Sequence, residues 1–282
     1  GVMRIDSLGI IYPVEEDNGF LNVKSKTIAS DQFGNVWVGT ERKGILIFKK
    51  EFIKDSIADQ SKFNKLDKNL FPNYTLVTDT INIDNGLTSN WIKKIKIKKE
   101  GTSAWIATYS NGIVEIPFYS KVLPGISDER IYYGTKKGIK DLHINDLEID
   151  NNGNIWYATR SGNLGYINNR KVRDFHQILG KEIAISTILI KDDYIYLGTL
   201  GDGIWITNIY KPKEVQQLKG VKNLNSNNIY QLVFDDENNL WAGTEKGINK
   251  IVLDANNAIK DVFYFDRSDG FLGIETCQNA VD

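Results

Sequence analysis

Cysteine and histidine are scarce in this sequence. Its 282 residues include one cysteine, Cys277, and two histidines, His143 and His176. A single cysteine permits no internal disulfide bond. One cysteine and two histidines also provide fewer than the four ligands of a typical structural zinc site. The composition therefore predicts no metal site and no bound cofactor.

An excess of positive charge is also missing. Lysine and arginine number 35 against 36 aspartate and glutamate residues, which leaves a formal net charge of -1. Proteins that bind nucleic acids neutralise phosphates with a surplus of basic side chains. We therefore expect no nucleic-acid partner.

Long apolar runs and helical periodicity are absent as well. Residues 183–190 form one of the longest apolar runs, far short of the roughly 20 residues that cross a bilayer. Only the insertion at residues 52–70, rich in Lys, Asp and Ser, is compatible with a surface helix. The sequence therefore indicates an all-β chain with no membrane span.

A four-residue phrase recurs instead. It reads Trp or Tyr, an apolar residue, Gly or Ala, and Thr, at residues 37–40, 105–108, 156–159, 196–199 and 241–244. An alternating strand and a turn rich in Asp, Asn and Gly precede it, and a third apolar strand and a more polar fourth strand follow. Each unit is thus predicted to be four antiparallel strands.

Repetition of a four-stranded unit every 40 to 50 residues is typical of a β-propeller. We predict five full blades plus partial blades at both ends. Either the two ends combine into one incomplete closing blade or the parent protein continues on both sides, and we favour the second. The predicted boundaries are a partial blade at 1–22, full blades at 23–87, 88–140, 141–182, 183–225 and 226–270, and a partial blade at 271–282.

The repeated residues are predicted to be structural. A ligand-binding or catalytic group breaks repeat symmetry, whereas a scaffold residue keeps it. The tryptophans are expected to pack between blades, the Gly or Ala to leave room for close backbones, and the aspartates to cap turns. These residues are Asp31, Trp37, Trp105, Asp150, Trp156, Asp235 and Trp241.

Candidate ligand-binding residues lie where the copies differ. In propellers the loops after the second strand and before the first strand share one face. Their aromatic, amide and charged side chains suit a sugar ring, whose C–H face stacks on an aromatic ring while its hydroxyls bind polar groups. The candidates are Arg42, Asn90, Trp91, Tyr109, Asn145, Arg160, Asn227 and Glu245.

The repeat resembles the two-component regulator propeller repeat. The phrase Asp-x-x-Gly-Asn-(apolar)-Trp-x-(Gly/Ala)-Thr is best seen at residues 31–40 and 150–159. The linkers at 16–20, 84–90 and 269–275 resemble the family's Asp-Gly-Leu-x-Ser-Asn connector. The resemblance covers essentially the whole chain.

The resemblance implies the periplasmic sensor region of an inner-membrane hybrid two-component protein or sensor histidine kinase of Bacteroidetes type. The implied ligands are oligosaccharides, and the implied partners are neighbouring blades and domains of the parent protein and a second copy in a homodimer. The chain itself is then expected to be non-catalytic. Two alternatives are a streptogramin-lyase-like propeller enzyme, with His143 as the candidate base, and a purely structural dimerisation propeller.

Overall fold

The computed structural model describes residues 23–48, 79–98, 102–118, 128–218 and 224–270, together with the backbone of four short strands before residue 21. The insertion at 52–70 and the partial blade at 271–282 lie outside the described residues. Within the described part the strands are β1 (Met3–Ile5), β2 (Ile11–Pro13), β3 (Glu15–Glu16), β4 (Gly19–Phe20), β5 (Ser25–Ser30), β6 (Val36–Thr40), β7 (Ile45–Phe48), β8 (Asp79–Ile81), β9 (Ile92–Ile97), β10 (Ser103–Thr108), β11 (Ile113–Pro117), β12 (Ile131–Tyr133), β13 (Ile144–Ile149), β14 (Ile155–Thr159), β15 (Leu164–Asn168), β16 (Lys171–Phe175), β17 (Ile185–Lys191), β18 (Tyr194–Thr199), β19 (Ile204–Asn208), β20 (Lys211–Gln217), β21 (Ile229–Phe234), β22 (Leu240–Thr244), β23 (Gly247–Leu253) and β24 (Ile259–Phe265).

Twenty of these strands form five four-stranded sheets in which consecutive strands are neighbours. We call them blades 1 to 5: β5–β8, β9–β12, β13–β16, β17–β20 and β21–β24. Two further two-stranded antiparallel sheets, β1 with β2 and β3 with β4, precede them. The prediction of an all-β chain built from four-stranded antiparallel units is confirmed.

Helical structure in the described residues is limited to 3₁₀ turns of three residues, at Ile83–Asn85, Thr135–Lys137 and Arg267–Asp269. None of the described helices is long and apolar enough to cross a bilayer.

The chain divides into two compact units. One holds residues 1–106 and 115–131, and the other holds residues 107–114 and 132–282, so that blades 3, 4 and 5 lie entirely in the second unit. In the first unit, Val23, Val38, Leu46 and Phe48 form a buried cluster on blade 1.

Blades 3, 4 and 5 pack through apolar side chains of their adjacent faces. Trp156 and Leu164 of blade 3 form one buried cluster with Ile188 and Leu197 of blade 4. A second buried cluster joins blades 4 and 5 and includes Tyr196, Ile204, Ile229, Leu240 and Ile251. The burial of these side chains is the main stabilising contribution of the repeat.

Polar ties between blades complement this packing. The register of the first strand shifts by one residue between Ile144 and Asp146, which directs Asp146 toward blade 4. Its Oδ2 accepts hydrogen bonds from Thr187 Oγ1 at 3.0 Å and from the Ile188 backbone N–H at 2.9 Å. Asp146 is only 3% exposed. These bonds and a third from the Leu147 N–H give both of its carboxyl oxygens a hydrogen-bond donor.

The recurring threonine closes the loop that follows it. Thr199 Oγ1 donates to the Gly203 carbonyl at 2.8 Å and accepts from the Asp202 N–H at 3.1 Å. Thr40, Thr108 and Thr244 make the corresponding pairs of bonds in blades 1, 2 and 5. The hydroxyl therefore fixes the loop that follows each recurring threonine. We call these loops the Thr loops; they lie on the face where candidate ligand-binding residues lie.

Candidate ligand-binding site

In the second unit, two Thr loops and the loop before β13 bring five residues together: Tyr109, Asp141, His143, Arg160 and Ser161. Asp141 lies at the centre of this group, which we call the Asp141 cluster. Its Oδ1 accepts from the His143 N–H at 2.9 Å and lies 3.0 Å from His143 Nδ1. Its Oδ2 accepts from the Ser161 N–H at 2.9 Å and from Ser161 Oγ at 2.7 Å.

These bonds determine the charge state of Asp141. Burial raises the pKa of its carboxyl group, but the hydrogen bonds from His143 and Ser161 outweigh burial and hold the pKa below its ordinary value of 3.8. Asp141 is therefore a carboxylate at neutral pH. It links the start of blade 3 to the Thr loop that follows β14.

The other members of the cluster present different chemistry to solvent. The rings of Tyr109 and His143 meet edge to face with centroids 5.9 Å apart, and the His143 side chain is 45% exposed. Arg160 donates its backbone N–H to the His143 carbonyl at 3.0 Å, while its side chain is exposed. The cluster thus offers an aromatic ring, an imidazole and a guanidinium on one surface.

The cluster does not have the geometry of a nucleophilic triad. In such a triad the serine hydroxyl is hydrogen-bonded to the histidine, which removes its proton. Here the Ser161 hydroxyl and His143 Nδ1 both bond to Asp141, on its two different oxygens. Asp141 separates the two groups instead of orienting one toward the other.

A second polar group surrounds Glu245 in blade 5. Glu245 Oε1 accepts from Ser226 Oγ at 2.6 Å and from Asn228 Nδ2 at 3.2 Å. Burial raises the pKa of Glu245, but the bonds from Ser226, its own backbone and Asn228 hold that pKa below its ordinary value. Its other oxygen, Oε2, is buried and accepts no hydrogen bond from the residues that the structure describes. Glu245 therefore holds one buried carboxylate oxygen that no donor in the described residues satisfies.

Two of the predicted residues bond to the backbone of the adjacent blade. Asn145 Nδ2 donates to the Ile185 carbonyl at 2.9 Å. Asn227 is exposed, and its carbonyl accepts from the N–H groups of Gly201 and Gly203 at 3.1 and 2.9 Å. Asn145 thereby uses its side chain to join blades 3 and 4, and Asn227 uses its backbone to join blades 4 and 5.

The remaining predicted residues lie in the first unit. Asn90 accepts the Ile83 N–H on Oδ1 at 2.9 Å, and its carbonyl accepts the Gly44 N–H at 3.0 Å. Trp91 is half-buried and donates its backbone N–H to Ser89 Oγ at 3.1 Å. Arg42 is exposed in the Thr loop of blade 1.

The repeated aspartates and tryptophans are paired within their own blades. Asp150 Oδ1 accepts the N–H groups of Asn152 and Asn154, and its Oδ2 accepts Asn154 Nδ2 and Trp156 Nε1. Asp31 and Asp235 bind the indole N–H groups of Trp37 and Trp241 in the same way. In blade 2 Ser103 Oγ takes this place and accepts from Trp105 Nε1 at 2.9 Å.

Sequence reasoning missed Asp141, Ser161, Ser226 and Asn228. The available signal was local: Asp141 and Ser226 each accept the backbone N–H two residues later, at His143 and Asn228, which is typical of polar side chains that begin a turn. The long-range bonds, such as that of Asp141 to Ser161, depend on how the loops meet. Among the described residues, no group of three or more His, Cys, Asp or Glu side chains is placed to hold a metal ion.

Residues 223–246, which contain the Glu245 group and the last recurring phrase, match the family model described as two component regulator propeller. This segment is similar to one two-component regulator propeller repeat. The resemblance seen in the sequence is therefore confirmed. The comparison with curated proteins finds no match.

Solved structures share the fold of this chain. The extracellular domain of the putative hybrid two component system BT4673 from B. thetaiotaomicron is 19% identical, with a TM-score of 0.64 over 92% of this chain and 34% of that one. The corresponding domain of BT3049 from the same organism is 16% identical, with a TM-score of 0.55 over 87% and 31%. The chain thus spans about a third of the length of these domains, and the prediction of a β-propeller is confirmed.

An enzyme has the same fold. Virginiamycin B lyase from Staphylococcus aureus, solved as a catalytically inactive variant with quinupristin, is 15% identical, with a TM-score of 0.59 over 86% of this chain and 71% of that one. At this level of identity the likeness concerns the fold alone. Function has to be argued from the site.

Proposed function

We propose that this chain is a ligand-sensing propeller module in the periplasmic part of a two-component sensor. The observation that carries the proposal is the family match at residues 223–246 on a fold shared with extracellular domains of hybrid two component systems. In this proposal the parent protein is an inner-membrane sensor histidine kinase. Its other domains and a second copy of the chain are the protein partners.

We further propose that the module binds an oligosaccharide on the Thr loops without chemical turnover. Tyr109 supplies an aromatic ring and Arg160 an exposed guanidinium, and sugars bind through this combination of stacking and hydrogen bonds. The bonds of the recurring threonines hold these loops in place before a ligand arrives, which lowers the entropy cost of binding.

Isothermal titration calorimetry against a panel of neutral and acidic oligosaccharides tests this proposal. We expect saturable binding that Tyr109→Ala and Arg160→Ala each weaken by about tenfold. Phe263→Ala and Lys260→Ala are matched controls, because both residues are exposed on β24, the last strand of blade 5. Binding that the first pair of variants leaves unchanged would remove the Thr loops from the site.

A lyase is the second candidate function, and one observation favours it. Asp141 engages Nδ1 of His143, which leaves Nε2 as the nitrogen available to accept a proton. Turnover of quinupristin that His143→Ala abolishes would replace the sensing proposal with an enzymatic one. We expect the chain to leave quinupristin intact.

A further inference from the structure

A cleft of about 500 Å³ lies between blades 3 and 4, away from the Thr loops. Its walls are the hairpin turns at residues 150–154 and 168–171 and the turn at residues 208–211. Because strand direction alternates within each blade, these turns lie at the opposite end of the sheets from the loop that follows Thr159. We call this space the hairpin cleft; all its lining residues belong to the second unit.

Two tyrosines give the hairpin cleft an aromatic surface. Tyr166 is half-buried, with its ring centroid 4.8 Å from that of Trp156, so packing fixes its position. Tyr210 is 68% exposed, yet its backbone N–H donates to Asn208 Oδ1 at 2.9 Å and the preceding Ile209 is buried. The turn therefore presents the Tyr210 ring to solvent, and Tyr166 lines the same cleft.

Amide side chains surround these rings. Asn152, Asn154, Asn168 and Asn169 line the hairpin cleft. Asn169 and Arg170 have φ angles of 46° and 62°, the left-handed conformation of a tight two-residue hairpin turn. This turn places Asn168 directly opposite Lys171 across the β15–β16 ladder. Asn168 Nδ2 donates to Asn154 Oδ1, and Asn154 Nδ2 donates to Asp150 Oδ2, so these two amides are partly engaged within the cleft. Amides both donate and accept hydrogen bonds, as sugar hydroxyls do, and the side chains of Asn152 and Asn169 form no such bonds within the described residues.

The charge of the hairpin cleft is positive. Lys171 and Arg173 line it and continue into an adjoining cleft of about 490 Å³, whose walls are Lys137, Arg170, Lys171, Val172 and Arg173. In the described part of the chain, neither Lys171 nor Arg173 forms an ion pair. Asp150, the acidic residue of the hairpin cleft, is 5% exposed and engaged by four donors. An anion is therefore attracted to this surface.

We propose that the hairpin cleft binds an acidic oligosaccharide, with a pyranose ring against Tyr210 and its carboxylate or sulfate group on Arg173. A guanidinium binds such planar or tetrahedral anions through two parallel N–H bonds, and the second cation, Lys171, adds charge attraction. This inference rests on the proposed sensing function and names its ligand class, but at a different surface from the Thr loops.

Calorimetric titrations of the full chain test the proposal with four probes: trigalacturonic acid, a sulfated galactose trisaccharide, neutral galactotriose and polyglutamate. We expect at least one acidic sugar to bind about tenfold more tightly than galactotriose, and its affinity to fall as salt is raised. The uronate and sulfate probes decide which anionic group the cleft takes. Polyglutamate separates recognition of a sugar from attraction to any polyanion.

Variants then locate the site. Arg173→Ala and Tyr210→Ala are each expected to weaken binding of the acidic sugar about tenfold, whereas Lys260→Ala and Phe263→Ala leave it unchanged. All four residues are exposed, so a thermal midpoint equal to that of the parent chain verifies folding. Equal binding of polyglutamate, or acidic-sugar binding that Arg173→Ala leaves intact, overturns the proposal.

The outcomes separate this inference from the proposed function. If a neutral oligosaccharide binds, Arg160→Ala weakens that binding, and no acidic sugar binds more tightly than galactotriose, the result supports sensing at the Thr loops and overturns the hairpin-cleft proposal. Failure of every sugar to bind overturns both.

Discussion

Trp156 donates its indole N–H to Asp150 Oδ2 at 2.9 Å, six residues back along the chain. The same pair recurs as Asp31 with Trp37 at 3.0 Å and as Asp235 with Trp241 at 2.7 Å. In each case one carboxylate joins the hairpin turn to the strand that follows. The recurring aspartate and tryptophan therefore act as one structural element, which explains why both keep their spacing in blades 1, 3 and 5.

Asp150→Ala is expected to lower the free energy of unfolding by about 2–4 kcal/mol, because it leaves the indole N–H and turn N–H groups without an acceptor. Asp235→Ala is expected to cost less, since the Asp235 side chain is 26% exposed and water replaces part of its role. Urea unfolding monitored by tryptophan fluorescence measures both. Equal costs for the two variants would contradict this account.

Gly198 leaves room for the next blade. A Cβ atom at this position would lie 2.6 Å from Thr187 Cγ2 and 2.8 Å from Ile229 Cγ2. Gly198→Ala is therefore expected to destabilise the fold by about 1–3 kcal/mol through overpacking. Thr187→Ser removes the Cγ2 methyl group that an alanine at position 198 would meet, and it keeps the hydroxyl that bonds to Asp146. In a double-mutant cycle the cost of Gly198→Ala should be smaller in the serine background; additive effects would argue against the contact.

Asp141 is expected to give the chain an acid-sensitive step in stability. Hydrogen bonds hold its folded pKa below the ordinary value of 3.8, so its contribution is present above that pH and is lost as the pH falls through the lower folded pKa. Asp141→Asn should reduce stability at pH 6 and flatten the dependence of stability on pH below 4. Thermal midpoints measured between pH 6 and pH 2 check this. A variant whose midpoints run parallel to those of the parent chain would show that Asp141 does not contribute.

Tyr196 replaces the recurring tryptophan in blade 4 and reaches blade 5, where its hydroxyl donates to Asn257 Oδ1 at 2.8 Å. Burial, with the nearby Tyr194 and Asp192, raises the pKa of Tyr196 to about 12. Tyr196→Phe is expected to cost about 1 kcal/mol at neutral pH. Because the raised pKa favours the neutral phenol in the folded state, this contribution is lost as the pH rises from 10 toward 12. Alkaline unfolding curves of the two proteins should therefore converge; a constant gap between them would disprove the assignment.

The sequence predicted the fold well because the fold is a repeat. Five copies of the aromatic-x-(Gly/Ala)-Thr phrase indicated the second strands, and the turn residues before them indicated the hairpins. Fourth strands were harder to delimit from the sequence, since they are polar and exposed. For example, β20 begins at Lys211 because the turn that Asn208 stabilises reverses the chain there.

The candidate site was predictable only in part. Exposed Arg160 and half-exposed Tyr109 lie on the Thr loops, as their positions after the recurring threonines suggested. The bonds of Asp141 to Ser161 and of Asn145 to Ile185 join residues 20 and 40 positions apart. No local pattern encodes such bonds, because they depend on how neighbouring loops and blades meet.

Hydrogen–deuterium exchange of the chain, with and without the oligosaccharide that binds most tightly, tests the central claim most directly. The claim is that a rigid repeat holds the fold while the parts that differ between blades bind a sugar. The account predicts slower exchange confined to the Thr loops at residues 109–112 and 160–163 and the loop at residues 141–143 before β13, or to the hairpin-cleft turns, with the strands unchanged. Exchange that no sugar alters, or protection confined to strand amides, would contradict it.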